Sequence, residues 1–275
     1  MRIPFTKAHG AKNDFLLTWA ADAPVDDLST AAIAICDRHT GAGADGWLIV
    51  SLPSDGECSY NAKIRLFNPD GGEVEMSGNG TRCAAAFLID SGVEKSDITI
   101  LTGAGLKKLN VLEVDGLKFS FEMNMGCPKW SAEDLHHTLA VGSEQFDCTI
   151  LNVGNPQCAV FVSDFSLDWR AAGAAIERHP YFPNRTNVSF VRKADGHTID
   201  VRFFERGAGE TMSSGTGSTG AAAAAVLRGL VKSPIQVQTP AGPLELRWNG
   251  GEDDVFLIGP AEIVARGEFY NQEGI

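Results

Sequence analysis

The chain reads as an α+β protein of two related domains, and three observations predict it. Residues 64–87, IRLFNPDGGEVEMSGNGTRCAAAF, match residues 201–224, VRFFERGAGETMSSGTGSTGAAAA, at ten of 24 positions without a gap. The offset is 137 throughout, about half of the 275-residue chain. A single repetition at half-length signals two similar domains and not a solenoid. The rest of the sequence is mostly short β-type runs with few helical candidates. That balance fits an antiparallel sheet or barrel wrapped on one central helix in each half.

Each element has its own justification. LSTAAIAICDRH (28–39) is the first helical candidate, and GWLIVSL (46–52) the strand candidate after it. KIRLF alternates apolar and polar residues, as a half-buried strand does. A glycine-bearing loop follows, then Ser77 at a helix start, an alanine-rich helix to Asp90 and Gly92 as its stop. SDITILT, KLNVLEV and LKFSFEM complete the first half as strands. The composition shifts near Met125-Gly126-Cys127-Pro128, which sets domains at 1–124 and 125–262, with a last strand over about 263–275 able to return to the first. In the second half CTILNVG, CAVFVSD and TNVSFVR read as strands around the helical LDWRAAGAAIERH. DVRFF then repeats KIRLF, Ser214 heads a helix to Arg228 with Gly229 as its stop, and IQVQT, LELRW, DVFLIG and AEIVARGEF follow as strands.

Bulk properties narrow the function. Apolar content of 44% and charged content of 21% belong to an ordinary globular chain. A net charge of −12, with no offsetting Lys/Arg cluster, excludes phosphate backbones and anionic membranes as partners. MRIPFTKAHG lacks a signal-peptide core and no stretch approaches 18 apolar residues, so a cytoplasmic protein is expected. Cys36, Cys58, Cys83, Cys127, Cys148 and Cys158 are scattered without metal-ligand spacing, and so are the six histidines. Reduced, mostly buried thiols and no metal site are the expectation.

GAGADG (41–46) and GTGSTG (215–220) both satisfy G-x-G-x-x-G. The first lies between a helix and a strand, the reverse of the dinucleotide-binding order, and no strict βαβ alternation surrounds the second. The glycines are compatible with tight turns before helices capped by Ser77 and Ser214. Two copies add a second possibility. A helix N-terminus offers free N–H groups and about half a positive charge, which suits an anion. Two such ends facing one small carboxylate, with a side chain at 77 or 214 on each face, suit inversion of an α-carbon. That reaction needs an acid and a base on opposite sides and stabilisation of a carbanion beside a carboxylate.

KAHGAKNDF, CDRHTGAGADG, FNPDGGEVEMSGNGTRCAA, VGNPQ, FPNRTNVSFV and FERGAGETMSSGTGS run along nearly the whole chain in this order. In these blocks the sequence resembles the diaminopimelate epimerase family of cofactor-independent amino acid racemases. The resemblance implies two similar domains, each with a central helix, and a substrate bound between them. It also implies a homodimer, a free amino acid substrate, no pyridoxal phosphate, no metal, and a place in lysine and peptidoglycan precursor biosynthesis. Carried onto matching positions, it assigns side-chain hydrogen bonds to Asn13, Asn68, Asn155 and Asn187. Glu205 and Arg206 would hold the amino and carboxylate groups, and the N–H groups of Gly78, Asn79, Gly215 and Thr216 would cradle the carboxylate at the reacting centre. Read from residue type alone, the asparagines also suit loop and turn chemistry, and Glu205–Arg206 a surface ion pair.

The sequence departs from the family at its catalytic pair. The family's two cysteines are Ser77 and Ser214 here, and Gln157 stands where VGNP is usually followed by histidine. Cys83, six residues past Ser77, falls inside the helix and cannot substitute. A thiol ionises near about 8.5, whereas an alkyl hydroxyl lies closer to water, roughly 15.7. That gap costs roughly 10 kcal/mol if serine must act as an oxyanion, and a helix dipole returns at most about 2 kcal/mol. With no histidine or lysine evident beside either serine, binding is expected to survive and fast epimerisation by the thiol route is not. Three readings follow: a diaminopimelate epimerase-type isomerase, a catalytically inactive amino-acid-binding protein, and a related isomerase or racemase for another substrate.

Overall fold

Period-two alternation of apolar and polar residues sets most of the chain in strands, and the two serine–glycine–alanine segments set the principal helices. The computed structural model describes residues 2–23, 27–54, 59–93 and 96–270. The chain divides into two compact units, one of residues 1–123 with Gly259 onward, the other of Asn124–Ile258.

The first unit runs β1 (Arg2–Gly10), β2 (Asn13–Trp19), α1 (Leu28–Cys36), β3 (Gly46–Ser51), β4 (Ala62–Phe67), β5 (Glu73–Val74), α2 (Gly78–Asp90), β6 (Asp97–Thr102), β7 (Gly105–Asp115) and β8 (Lys118–Gly126). The second runs β9 (His137–Val141), β10 (Glu144–Asn152), β11 (Pro156–Phe161), α3 (Trp169–Glu177), β12 (Asn187–Lys193), β13 (Thr198–Glu205), β14 (Gly209–Thr211), α4 (Gly215–Leu227), β15 (Ile235–Thr239) and β16 (Gly242–Arg247). A long β17 (Val255–Tyr270) follows, and its later residues belong to the first unit.

The two units repeat one topology. In the first, β2 and β3 are parallel, β3 and β4 antiparallel, β4 and β6 parallel, and β6 and β7 antiparallel. In the second the same alternation runs through β11–β12, β12–β13, β13–β15 and β15–β16. β1 joins β2 and the far end of β17, from Arg2 opposite Tyr270 to His9 opposite Glu262. The β1–β2 turn places Ala11 and Lys12 at φ 51° and 62°, a conformation that side-chain-bearing residues seldom adopt. DVFLIG and AEIVARGEF, expected as separate strands, are one strand, β17. Pro260 lies within this strand, and its carbonyl accepts Arg82 Nε at 3.1 Å.

At the centre of each unit lies its 13-residue helix. Residues 78–88 of α2 and 215–225 of α4 are buried without interruption. A helix enclosed on all sides cannot carry a polar stripe, which explains the alanine runs 84–86 and 221–225. Gly92 and Gly229, at φ 96° and 67°, terminate the two helices as expected. The first glycine motif is structural: the N–H groups of Ala42 and Gly43 close the C-terminus of α1 on the Ile35 carbonyl. Among the described residues no helix is long and apolar enough to cross a membrane. Cys36, Cys83, Cys148 and Cys158 are buried, Cys127 is half-buried, and all five thiols are free. Cys58 lies outside the described residues, as do the last five residues of the expected strand 263–275.

Candidate active site

Both central helices begin in the same way. Ser77 and Ser214 sit in extended backbone, at φ −128° and −137°, as N-caps. Ser77 Oγ accepts the Gly80 N–H at 3.1 Å, and Ser214 Oγ accepts the Gly217 N–H at 3.0 Å. The first intrahelical bonds are Thr81 N–H to Ser77 O and Ser218 N–H to Ser214 O. The N–H groups of Gly78, Asn79, Gly215 and Thr216 precede them and have no intrahelical acceptor. The glycines make space for this arrangement. A Cβ on Gly217 would lie 2.8 Å from the Phe203 ring and 2.9 Å from Ser214 Oγ.

The first unit surrounds its helix end with a polar chain. Arg38 donates to both Asp14 and Asp45, and Asp45 Oδ2 accepts Asn13 Nδ2 at 2.8 Å. Asn13 Oδ1 accepts Asn79 Nδ2 at 3.1 Å, and Asn79 Oδ1 accepts Arg82 Nη2 at 2.5 Å. Two predicted site residues, Asn13 and Asn79, are thus joined directly. Arg82 is fully enclosed, makes no ion pair among the described residues, and also donates to the Gly78 and Pro260 carbonyls. Burial lowers its ionisation to about 10. Burial likewise pushes the Cys83 thiol up to about 12, so that thiol is inert. Asn68 lies in the turn after β4, where its backbone exchanges bonds with Gly71 and Gly72.

The second unit is equipped differently. Asn155 Nδ2 donates to Thr216 Oγ1 at 3.3 Å, and Asn155 Oδ1 accepts Gln157 Nε2 at 2.6 Å. Gln157 therefore positions Asn155, although its own buried Oε1 has no partner among the described residues. Asn187 Oδ1 accepts the Arg206 N–H at 3.0 Å, and Asn187 Nδ2 donates to Pro156 O. The buried Glu177 accepts the Gly207 N–H and pairs with Arg185, which fixes the turn that carries Arg206. Glu205, the last residue of β13, accepts Thr211 Oγ1–H and Ser214 Oγ–H, both at 2.7 Å.

The group beside Ser214 is the Glu205 carboxylate, neither a histidine nor a lysine. The β13–β14 hairpin folds Glu205 back onto the helix cap nine residues later. Sequence reasoning missed Arg82, Asp45 and Glu177. A charged residue inside an otherwise apolar helix was the available signal for Arg82. Among the described residues no group of three or more His, Cys, Asp or Glu side chains is placed to hold a metal ion.

Comparison with known proteins bears on the family and the fold. The family model described as diaminopimelate epimerase matches residues 5–131 and 149–264. The diaminopimelate epimerase of Pelotomaculum thermopropionicum is 39% identical over 279 residues, covering 96% of this chain and 98% of the relative. That of Halothermothrix orenii is 35% identical over 288 residues and covers both chains completely. Among solved structures, a hydroxyproline epimerase from Agrobacterium vitis shares the fold at a TM-score of 0.74 and 16% identity, covering 97% of this chain and 92% of its own. A PhzF-family phenazine biosynthesis protein from Bacillus anthracis does so at 0.68 and 17%, covering 98% and 99%. The chain belongs to the diaminopimelate epimerase family, a family of isomerases.

Proposed function

We propose that the protein inverts the α-carbon of a free amino acid, with LL- and meso-diaminopimelate as its substrates, in lysine and peptidoglycan precursor biosynthesis. The observation that carries this reading is the repeated, serine-capped and buried helix start at 77 and 214. The reading has both helix ends serve one substrate carboxylate, with Ser77 and Ser214 as acid and base. Asn13, Asn68, Asn155 and Asn187 bind the polar groups of the substrate, and the N–H groups of Gly78, Asn79, Gly215 and Thr216 bind carboxylate oxygens. Glu205 takes the amino group, and Arg206 holds a carboxylate through a bidentate fork. The chemistry asks for no cofactor, and the protein works as a homodimer.

Calorimetry with LL- and meso-diaminopimelate tests the reading. Saturable heat at millimolar ligand or below is expected, and no heat with either isomer would sink it. The two serines favour one second reading, a binder of amino acids without turnover. Such a binder leaves the substrate α-hydrogen untouched in deuterated water, whereas an isomerase exchanges it.

A further inference from the structure

The two halves of the repeat are not equivalent in what stands behind their serines. Ser214 Oγ–H donates to Glu205 Oε2 at 2.7 Å, and Thr211 Oγ1–H donates to the other oxygen at 2.7 Å. At the offset of 137 the counterparts of Glu205 and Thr211 are Asn68 and Val74, an amide and an alkyl group. Ser77 Oγ accepts the Gly80 N–H, and among the described residues no carboxylate accepts its hydroxyl proton. One cap has a proton reservoir in hydrogen-bond contact and, among the described residues, the other has none.

The geometry points to Glu205 as the proton acceptor behind Ser214, and so to an isomerase that opens the α-carbon of its substrate from one face. The inference rests on the amino acid reading above. As the substrate Cα–H bond breaks, its proton passes to Ser214 Oγ while the Ser214 O–H proton passes to Glu205 Oε2. The hydroxyl is neutral before and after, so the roughly 10 kcal/mol needed for a free alkoxide does not arise. The electron pair left on Cα spreads into the substrate carboxylate, whose growing charge meets the N–H groups that open α4. Glu205, now a carboxylic acid, exchanges its proton with solvent and returns one by the same path. The product of that cycle is a labelled substrate of unchanged configuration. Inversion needs Ser77 to supply a proton from the opposite face, and without a reservoir it is the slow step.

Proton NMR of the full chain with LL-, meso- and DD-diaminopimelate in deuterated water reads this directly. Centres of one configuration should lose their α-hydrogen with retention, much faster than any centre inverts. The exchange rate should fall on the acid side with a single ionisation in the carboxylate range. Glu205→Gln should lose about 10²- to 10⁴-fold in exchange at saturating probe, over and above any weakening of binding from its contact with the amino group, and Glu205→Asp should restore part of it. Thr211→Val removes one hydrogen bond to the carboxylate, so its acid limb should move to higher pH. Binding with exchange equal at both configurations, with no exchange, or with exchange unaffected by Glu205→Gln would overturn the relay and leave the amino acid reading standing. An unmoved limb in Thr211→Val, or a Glu205→Gln effect confined to binding, would also overturn it. No heat from any of the three probes would overturn both.

Discussion

Arg82 Nη2 donates to Asn79 Oδ1 at 2.5 Å, inside the first turns of α2, where no water-exposed surface remains on the guanidinium. The same side chain donates to the Gly78 and Pro260 carbonyls. Its role is to hold Asn79, which in turn holds Asn13, and to add positive charge behind a helix N-terminus.

Replacing Arg82 by leucine removes the donor to the buried Asn79 Oδ1 and to the part-buried Pro260 carbonyl, while the Gly78 carbonyl keeps the backbone N–H of residue 82. An unsatisfied buried acceptor costs about 1–3 kcal/mol, and a loss in that range is expected. Urea denaturation of Arg82→Leu against the parent measures it. A loss below about 0.5 kcal/mol would show that water reaches these groups.

Gln157 occupies the position where the resemblance led to histidine, and it is 2% exposed. Its Nε2 fixes Asn155 Oδ1, while its Oε1 has no partner among the described residues. Gln157→Leu removes a satisfied contact and an unsatisfied one together. Stability should therefore change by less than about 1.5 kcal/mol. Diaminopimelate binding, which uses Asn155 under the proposed function, should weaken by about tenfold, the worth of one hydrogen bond. Unchanged affinity by calorimetry would detach Asn155 from the site.

Much of this was legible because it depends on short-range patterns. The helix starts at 77 and 214 announce themselves through Ser, Gly and Ala at fixed positions, and the repeat ties them together. The β1–β2 turn did not announce itself, because Ala11 and Lys12 take φ values that turns usually reserve for Gly or Asn. The link between Asn13 and Asn79 spans 66 positions and depends on how β1 and α2 pack. Divergence between the halves is equally hidden. Glu73 pairs with Arg65 on the neighbouring strand, whereas its counterpart Glu210 pairs with Arg170 on α3.

Acid stability should depend on Asp14. Burial alone would raise its carboxyl, but hydrogen bonds and charge from Arg38 and Lys7 outweigh burial and hold it below the ordinary value of 3.8. A carboxylate depressed in the folded state stabilises above the unfolded-state value of about 3.9, and the contribution disappears as pH falls through the folded value. Asp14→Asn should be less stable than the parent at pH 7 and should converge on it towards pH 2. Denaturation midpoints across that range decide it, and a constant difference at all pH values would contradict the assignment.

The last prediction restores thiols. Ser77→Cys together with Ser214→Cys should create or greatly raise α-carbon inversion of diaminopimelate. A thiol at a helix N-terminus ionises below about 8.5, so two of them can share one proton near neutral pH, which two hydroxyls near roughly 15.7 cannot. The sites tolerate the change because the caps keep their geometry: Gly80 and Gly217 donate to whatever acceptor stands at 77 and 214, and neither carries a Cβ that would crowd a sulfur. Each single replacement should fall far short of the pair, since inversion needs a base on one face and an acid on the other. Ser77→Cys places its thiol on the face without a carboxylate reservoir, so it should gain exchange at the configuration that the parent leaves untouched. Ser214→Cys replaces the hydroxyl relay by a direct thiolate, and its acid limb should rise from the carboxylate towards the thiol range. Chiral chromatography and α-hydrogen exchange in deuterated water follow both outcomes. A double-cysteine protein that folds and binds diaminopimelate, yet neither exchanges nor inverts it, would show that residues 77 and 214 are helix caps and not an acid–base pair.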